Sequence, residues 1–357
     1  MTTPNALMLC FPISRFPQTL RARAQAAATR VALTLLLVLT AAPWALAGGC
    51  VRAQDRVLLV STRTVGCSTN AERLDSGVAA SEYAVTESGG RRWVRSDAPA
   101  ALASLDPSTP TIVYVHGNQI TASEARRRGV DVYCRLVRCG DGRPVQFVIF
   151  SWPSSKVPGL LRDFREKAAR TRPVAGQLAW ALARMPEGAP VGLLGYSYGA
   201  RVSTGALHLA SGGALGGLSA PAGPSARPTR VVLFAPALDC CWLGKGRYNG
   251  LALQSVDSLL TTVNRQDRAM RLYRFVSKTS DPTALGYAGP GCLDADYRSL
   301  VKVRNVTGSV GKSHDLYDYM ATPGLMAQAW RRLAFVDPPA VAPSDQADAD
   351  TPTLALR

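Results

Sequence analysis

The sequence predicts an α/β chain built on a mostly parallel sheet, with helices on both faces and an antiparallel edge on the N-terminal side. Three observations carry this expectation. From Thr111 onward, short apolar runs alternate with helix-like segments, as parallel strands joined by crossover helices require. Ahead of them, two stretches alternate apolar with polar residues on either side of Ser88-Gly89-Gly90, the mark of a hairpin. One of the later apolar runs ends in Gly195-Tyr196-Ser197-Tyr198-Gly199 and passes directly into helix-like sequence, a strand–turn–helix junction with a glycine two residues to either side of a serine.

The elements follow in chain order. Arginines up to Arg30 precede the apolar run 31–42, and Ala45-Leu46-Ala47 places small residues at the two positions a signal peptidase reads, so residues 1–47 are expected to be an export signal. The run is about twelve residues, short of the roughly twenty that span a bilayer. Cys50, behind Leu46-Ala47-Gly48-Gly49, resembles a lipoprotein box with one glycine too many, which makes a lipid anchor at Cys50 an alternative to a soluble protein. The destination is periplasmic or extracellular. Asp55-Arg56-Val57-Leu58-Leu59-Val60-Ser61 reads as a strand. Glu82-Tyr83-Ala84-Val85-Thr86 and Arg91-Arg92-Trp93-Val94-Arg95 read as the hairpin, and residues 48–110 together join the sheet as its antiparallel edge.

The catalytic region is expected over 111–336. Thr111-Ile112-Val113-Tyr114-Val115 is an apolar strand ending in His116-Gly117-Asn118. The helix behind it starts at Thr121-Ala122-Ser123-Glu124, where the threonine can cap the turn and the glutamate can reach back. Residues 145–151 form the next strand, followed by helices over 160–170 and 174–185, with Pro186 and Pro190 as stops before the strand at 191–194. A helix runs from Ala200. Residues 230–235 and 272–276 read as strands, and 238–270 between them reads as a small cap over the site mouth, with a helix-like stretch at 256–263. Residues 302–306 make a last strand and 324–335 a terminal helix. Beyond 337, prolines, alanines and aspartates show no periodic apolar face, which predicts a disordered tail.

Composition narrows the chemistry. The 357 residues are 47% hydrophobic, ample for one large domain, and carry a formal charge of +16. Trimming at Ala47 removes four arginines and leaves +12. The excess is read as scattered arginine without the interleaved aromatics that grip a nucleic-acid backbone, which excludes nucleic acid as the expected partner. Eight cysteines suit disulfides in an oxidising compartment, with Cys134 and Cys139 as a local pair, and no cysteine–histidine spacing suits a structural zinc.

The serine is the reactive candidate. A serine at the tip of a sharp strand-to-helix turn needs Gly195 and Gly199 because a Cβ there collides with neighbouring backbone. Serine is a weak nucleophile and requires a base, which in turn requires an acid to hold its tautomer. Of three histidines, His116 precedes the serine and His208 lies inside its helix, leaving His314, in a glycine-bearing loop, as the base. Asp281, closing the strand read at 272–276, is the expected acid, with Asp239 as runner-up; Asp315 is structural. The oxyanion donors are the backbone N–H of Tyr198 and that of Asn118, with Gln119 next, while His116 orients their loop.

With Val115-His116-Gly117, then Gly195-Tyr196-Ser197-Tyr198-Gly199, then Asp281 and His314, the chain resembles the serine hydrolases of the α/β-hydrolase superfamily over about 111–335. The resemblance implies an eight-stranded, mostly parallel sheet, a Ser-His-Asp triad, no metal or organic cofactor, and hydrolysis of esters or related acyl bonds. Ser151-Trp152-Pro153-Ser154 and Gly205-Ala206-Leu207-His208 are similar to segments of poorly characterised bacterial hydrolases of the DUF900 lipase-like type. The expected function is cleavage of a small-molecule or lipid carboxylic ester by an exported enzyme. The alternatives are a non-catalytic binding protein on the same fold, or a peptidase or acyltransferase with the same triad.

Overall fold

The computed structural model describes residues 50–85, 90–219, 227–275 and 282–336. The export segment 1–47, Ser88 and Gly89 of the hairpin turn, Asp281 and the tail from 337 lie outside the described residues. The chain divides at residue 50, and the elements below belong to the unit 51–357.

Among the described residues nine strands form one sheet: β1 (Arg56–Ser61), β2 (Ala79–Val85), β3 (Arg91–Asp97), β4 (Thr111–Val115), β5 (Gln146–Ser151), β6 (Val191–Tyr196), β7 (Thr229–Phe234), β8 (Ser258–Val263) and β9 (Val301–Asn305). Their order is β9-β8-β7-β6-β4-β5-β1-β2-β3. All neighbours from β9 through β1 are parallel, and β2 alone runs against the rest. The mostly parallel sheet with an antiparallel edge is therefore present, with nine strands where eight are expected. β1 does not belong to that antiparallel edge. Its run Val57-Leu58-Leu59-Val60 is buried on both faces, and a strand apolar on both faces belongs inside a parallel sheet. β3, with alternating exposure, is the edge.

The helices that matter here are α1 (Ala122–Arg138), α2 (Leu160–Ala183), α3 (Tyr198–Ala210), α4 (Arg268–Arg271), α5 (Leu316–Ala321) and α6 (Leu325–Leu333). Thr121 and Glu124 make the reciprocal capping box that opens α1. The two helices expected over 160–170 and 174–185 are one helix, α2, which carries Pro173 inside it. Its packing against α3 outweighs the single backbone hydrogen bond the proline removes.

Successive strand residues point to opposite faces, and both faces are covered. Val113, Val115, Val148, Phe150, Leu193 and Val231 share one buried cluster with Val174, Leu178, Val202 and Ala206 of α2 and α3. The alternate residues face α1 and α6: Ile149 packs against Gly129, the Phe147 ring meets Tyr133 edge-on at 5.5 Å, and Gly192 lies against Leu333. These large buried apolar side chains are the main stabilising term of the sheet, each contributing about 1.5–3 kcal/mol relative to exposure.

Two elements between β7 and β9 differ from expectation. The stretch 256–263, read as a helix in a cap, supplies β8, which pairs with both β7 and β9. The stretch read as a strand at 272–276 is instead a 3-10 turn at Tyr273–Phe275. The physical signal was β-branching: Leu259-Leu260-Thr261-Thr262-Val263 is a buried run that favours a pleated surface over a helix.

The cysteines also differ from expectation. Cys139 is free and exposed, while Cys50 and Cys134 are each disulfide-bonded, so Cys134 and Cys139 are not a pair. With its sulfur in a disulfide, Cys50 has no thiol left for a lipid thioether. Cys241 and Cys292 are bonded to each other.

Candidate active site

β6 ends at Tyr196, and α3 begins at Tyr198, which leaves Ser197 alone in the turn with φ 54° and ψ −119°. A non-glycine residue in that region is strained by roughly 1–3 kcal/mol, and the surrounding packing enforces it. A Cβ on Gly199 would lie 1.9 Å from the carbonyl oxygen of Val115, and one on Gly195 would lie 2.6 Å from Cα of Ala200. Only glycine permits helix α3 to sit this close to the strand ends. The Ser197 N–H continues the β6–β7 ladder by donating to Phe234 O at 2.9 Å, which holds the backbone that carries the hydroxyl.

His314 stands before α5. Its Nε2 is 3.0 Å from Ser197 Oγ and its Nδ1 is 2.7 Å from Asp267 Oδ2. The imidazole stacks on Tyr196 with centroids 5.6 Å apart, and the Tyr196 hydroxyl donates to the His314 carbonyl. Ring and backbone of the histidine are thus held by the residue that precedes the serine.

Asp267 was not among the residues singled out in the sequence. It lies four residues beyond β8 and has no exposed side-chain surface. Its Oδ1 accepts the N–H groups of Ala269 (2.9 Å) and Met270 (3.0 Å), capping α4, and its Oδ2 accepts from His314 and from the Tyr319 hydroxyl at 2.7 Å. Burial pushes the Tyr319 phenol far above its ordinary range, so it stays a donor. Asn264, at the end of β8, ties the two loops together by donating from Nδ2 to Gly311 O at 2.8 Å. Asp281 lies outside the described residues. Asp239, the runner-up, accepts from the Cys241 N–H at 3.0 Å. The position beside His314 that sequence reading assigned to a carboxylate after a strand is filled by the carboxylate after β8, the strand missed in the sequence.

Asn118 and Gln119 follow β4 and line the same cavity as Ser197. Gln119 has φ 55°. Their side-chain amides donate to Asp163 Oδ2 at 2.7 and 3.0 Å, while Asp163 Oδ1 accepts from Val157 N–H and from the buried Lys167 Nζ at 3.2 Å. Although burial opposes the charge, these donors hold the Asp163 carboxyl below its usual range. Behind the loop, burial pushes His116 down to about 3. It is therefore neutral, donating from Nδ1 to Gly117 O (2.9 Å) and accepting at Nε2 from Trp152 N–H (3.2 Å). Trp152 Nε1 donates to His116 O at 2.8 Å, and Ser154 Oγ to Ile120 O at 3.1 Å, which gives the Ser151-Trp152-Pro153-Ser154 segment a structural purpose. His208, in α3, accepts from Leu251 N–H at 3.1 Å.

These groups open into a cavity of about 270 Å³ walled by Phe164, Tyr198, Met270, Leu272 and Tyr273, with Ser197 and His314 at one side. Its lining suits an apolar acyl or alcohol chain. Asp239, Cys240 and Cys241 bring three potential metal-ligating atoms within 4.8 Å of one another, but the Cys241 sulfur is bonded to Cys292 and burial raises the Cys240 thiol, so this set is poorly suited to a metal. Chemically, the arrangement can deprotonate a serine hydroxyl next to backbone donors at a helix N-terminus, in a largely apolar recess.

No family model matches the chain, and no curated protein matches it. Among solved structures it is similar to esterase B from Lactobacillus rhamnosis inhibited by a C4-C4 SN3 tributyrin phosphonate, at 11% identity and TM-score 0.36, covering 88% of this chain and 96% of that one. A C6-C4 SN3 inhibited form of the same esterase matches at 11% identity and TM-score 0.31, covering 80% and 86%.

Proposed function

We propose that this protein is an exported serine hydrolase of the α/β-hydrolase superfamily that cleaves a carboxylic ester through an acyl-enzyme. Ser197 Oγ attacks the carbonyl carbon as His314 Nε2 takes its proton. The tetrahedral oxyanion is held by the backbone N–H of Tyr198 and that of Asn118, with Gln119 as the alternative donor. The C–O bond then breaks, and His314 returns the proton to the departing alcohol. Water, deprotonated by His314 in turn, attacks the acyl-enzyme and releases the acid. Asp267 takes the acid's role in place of Asp281: it holds Nδ1–H and stabilises the imidazolium. The observation that carries this reading is the unbroken Ser197–His314–Asp267 chain of 3.0 and 2.7 Å contacts, ending on a serine in a strained turn.

Export is supported by the four disulfide-bonded cysteines, Cys50, Cys134, Cys241 and Cys292, because such bonds persist in oxidising compartments. Among the described residues no helix is long and apolar enough to cross a membrane. The finer resemblance to DUF900-type hydrolases rests on the sequence segments Ser151-Trp152-Pro153-Ser154 and Gly205-Ala206-Leu207-His208 alone.

The test is activity-based. A fluorophosphonate probe is expected to label the wild type and not Ser197→Ala, whose turnover of nitrophenyl butyrate should fall by roughly three or more orders of magnitude with folding intact. Equal turnover in the variant rejects the assignment.

A further inference from the structure

Arginines recur at every third position through Arg265, Arg268, Arg271 and Arg274, across α4 and the 3-10 turn that follows. In tight helical turns residues three apart lie on one side, so this spacing gathers the charges. Arg265, Arg268 and Arg271, joined by Lys312 from the His314 loop, line an open cleft of about 470 Å³ completed by Gln266 and Leu272. Among the described residues no carboxylate lines it. Among the described residues none of these four cations has an ion-pair partner, and what sets them apart from the other unpaired arginines is that they share one cleft.

The cleft adjoins the catalytic cavity. Leu272 lines both, Arg268 directly follows Asp267, Lys312 lies two residues before His314, and Arg268 N–H donates to Lys312 O at 3.4 Å. Beyond Met270, Arg271 and Arg274 continue the positive lining into a neighbouring opening with Pro282 and Tyr287. The segments that present the base and its acid partner thus carry four cations that have no ion-pair partner among the described residues. Like charges at this density repel one another, and an anion relieves the repulsion. Guanidinium forks match the paired oxygens of a phosphate, and several together suit a group with more than one negative charge.

We propose that this cleft is an anion subsite, which holds a phosphate-class group carried by the ester substrate next to the bond that is cut. The apolar cavity would then take the hydrocarbon part of the same molecule, making the substrate class an anionic amphiphilic ester. The inference rests on the serine hydrolase reading of Ser197 for its catalytic half and on the cleft alone for its binding half.

The experiment has two parts. Inorganic pyrophosphate is titrated calorimetrically into full-length Ser197→Ala protein, with and without the charge reversals Arg265→Glu and Arg271→Glu; both sites are exposed and outside the catalytic machinery. Saturable binding weakened about tenfold by the reversals is expected, and it is independent of any hydrolysis. In the otherwise wild-type enzyme, kcat/KM is compared for a short-chain ester bearing a terminal phosphate and its neutral counterpart. The double reversal should lower the first about tenfold and the second less than twofold, and 0.5 M salt should erase the difference by screening. Running the phosphorylated ester both as a soluble monomer and as phosphatidic acid in phosphatidylcholine vesicles separates a free anionic substrate from a headgroup at a lipid surface; charge preference in either supports the subsite. Absence of pyrophosphate binding, or equal loss on neutral and anionic esters, overturns it. Pyrophosphate binding with no turnover of any ester instead overturns the hydrolase reading and leaves the anion site standing.

Discussion

Replacing Asp267 by asparagine separates the structural assignment of the acid from the sequence-based one. The wild-type carboxylate accepts four hydrogen bonds: Ala269 and Met270 N–H on Oδ1, His314 Nδ1 and Tyr319 Oη on Oδ2. An amide offers one oxygen. The two backbone donors are fixed by α4, so the oxygen stays with them and the NH₂ group faces His314. The ring answers by presenting its Nδ1 lone pair, which moves its proton to Nε2, 3.0 Å from Ser197 Oγ. A protonated Nε2 cannot accept the serine proton, and the negative charge that stabilises the imidazolium is also gone. Both losses act in the transition state, and together they amount to about four orders of magnitude in kcat, or about 5.5 kcal/mol. Because volume and most hydrogen bonds survive, the melting temperature should shift by only a few degrees. The assay is steady-state hydrolysis of nitrophenyl butyrate by wild type, Asp267→Asn, Asp281→Asn and Asp239→Asn, with thermal melts in parallel. An Asp267→Asn enzyme within tenfold of wild type, alongside an Asp281→Asn enzyme that is inactive, would refute the assignment of the acid.

Three further outcomes are expected. Gly199→Ala places a methyl 1.9 Å from the Val115 carbonyl oxygen and should destabilise the protein by about 4 kcal/mol or more, read as insoluble expression or a collapsed urea midpoint; a well-folded variant contradicts the packing described. His116 is buried neutral with its pKa pushed down to about 3, whereas the unfolded chain protonates it near 6.5. Between those values the unfolded state binds the extra proton, so this group's contribution is present above pH 6.5 and is lost as pH falls toward 3, by about 1.4 kcal/mol per pH unit. Urea melts from pH 6.5 to 4 should show that slope in wild type and a shallower one in His116→Gln. Finally, the Cys241–Cys292 disulfide spans 51 residues, and a Cys241→Ser, Cys292→Ser protein should lose about 4 kcal/mol on the chain-entropy estimate; denaturation curves unchanged by the double substitution would count against it.

Much of the site was legible in the residues because its signals are local. Gly195 and Gly199 mark a turn that no other residue fits. The apolar strand runs before Gly195 and before His116 need only their immediate neighbours to be recognised, and both helix starts are encoded within four residues. With two of three histidines accounted for by position, His314 followed by elimination. Asp267 does not stand out in the residues because its placement depends on a strand, and the run 256–263 fits a buried helix as well as a buried strand when only its apolarity is considered. What separates the two is pairing with β7 and β9: Ser258 pairs with Arg230, 28 residues earlier, and Leu259 with Val301, 42 residues later.

The strand–turn–helix at Ser197 and the parallel core are written in the residues themselves, since each depends on short-range sterics and side-chain chemistry. That β1 runs parallel inside the sheet, that Asp267 meets His314, that Tyr319 and Asp163 brace the two sides of the site, and that four cations share one cleft follows only from the folded chain. The reason is physical: a carboxylate's role is set by which donors surround it, and those donors, here from segments tens of residues apart, become neighbours only when the sheet closes its order.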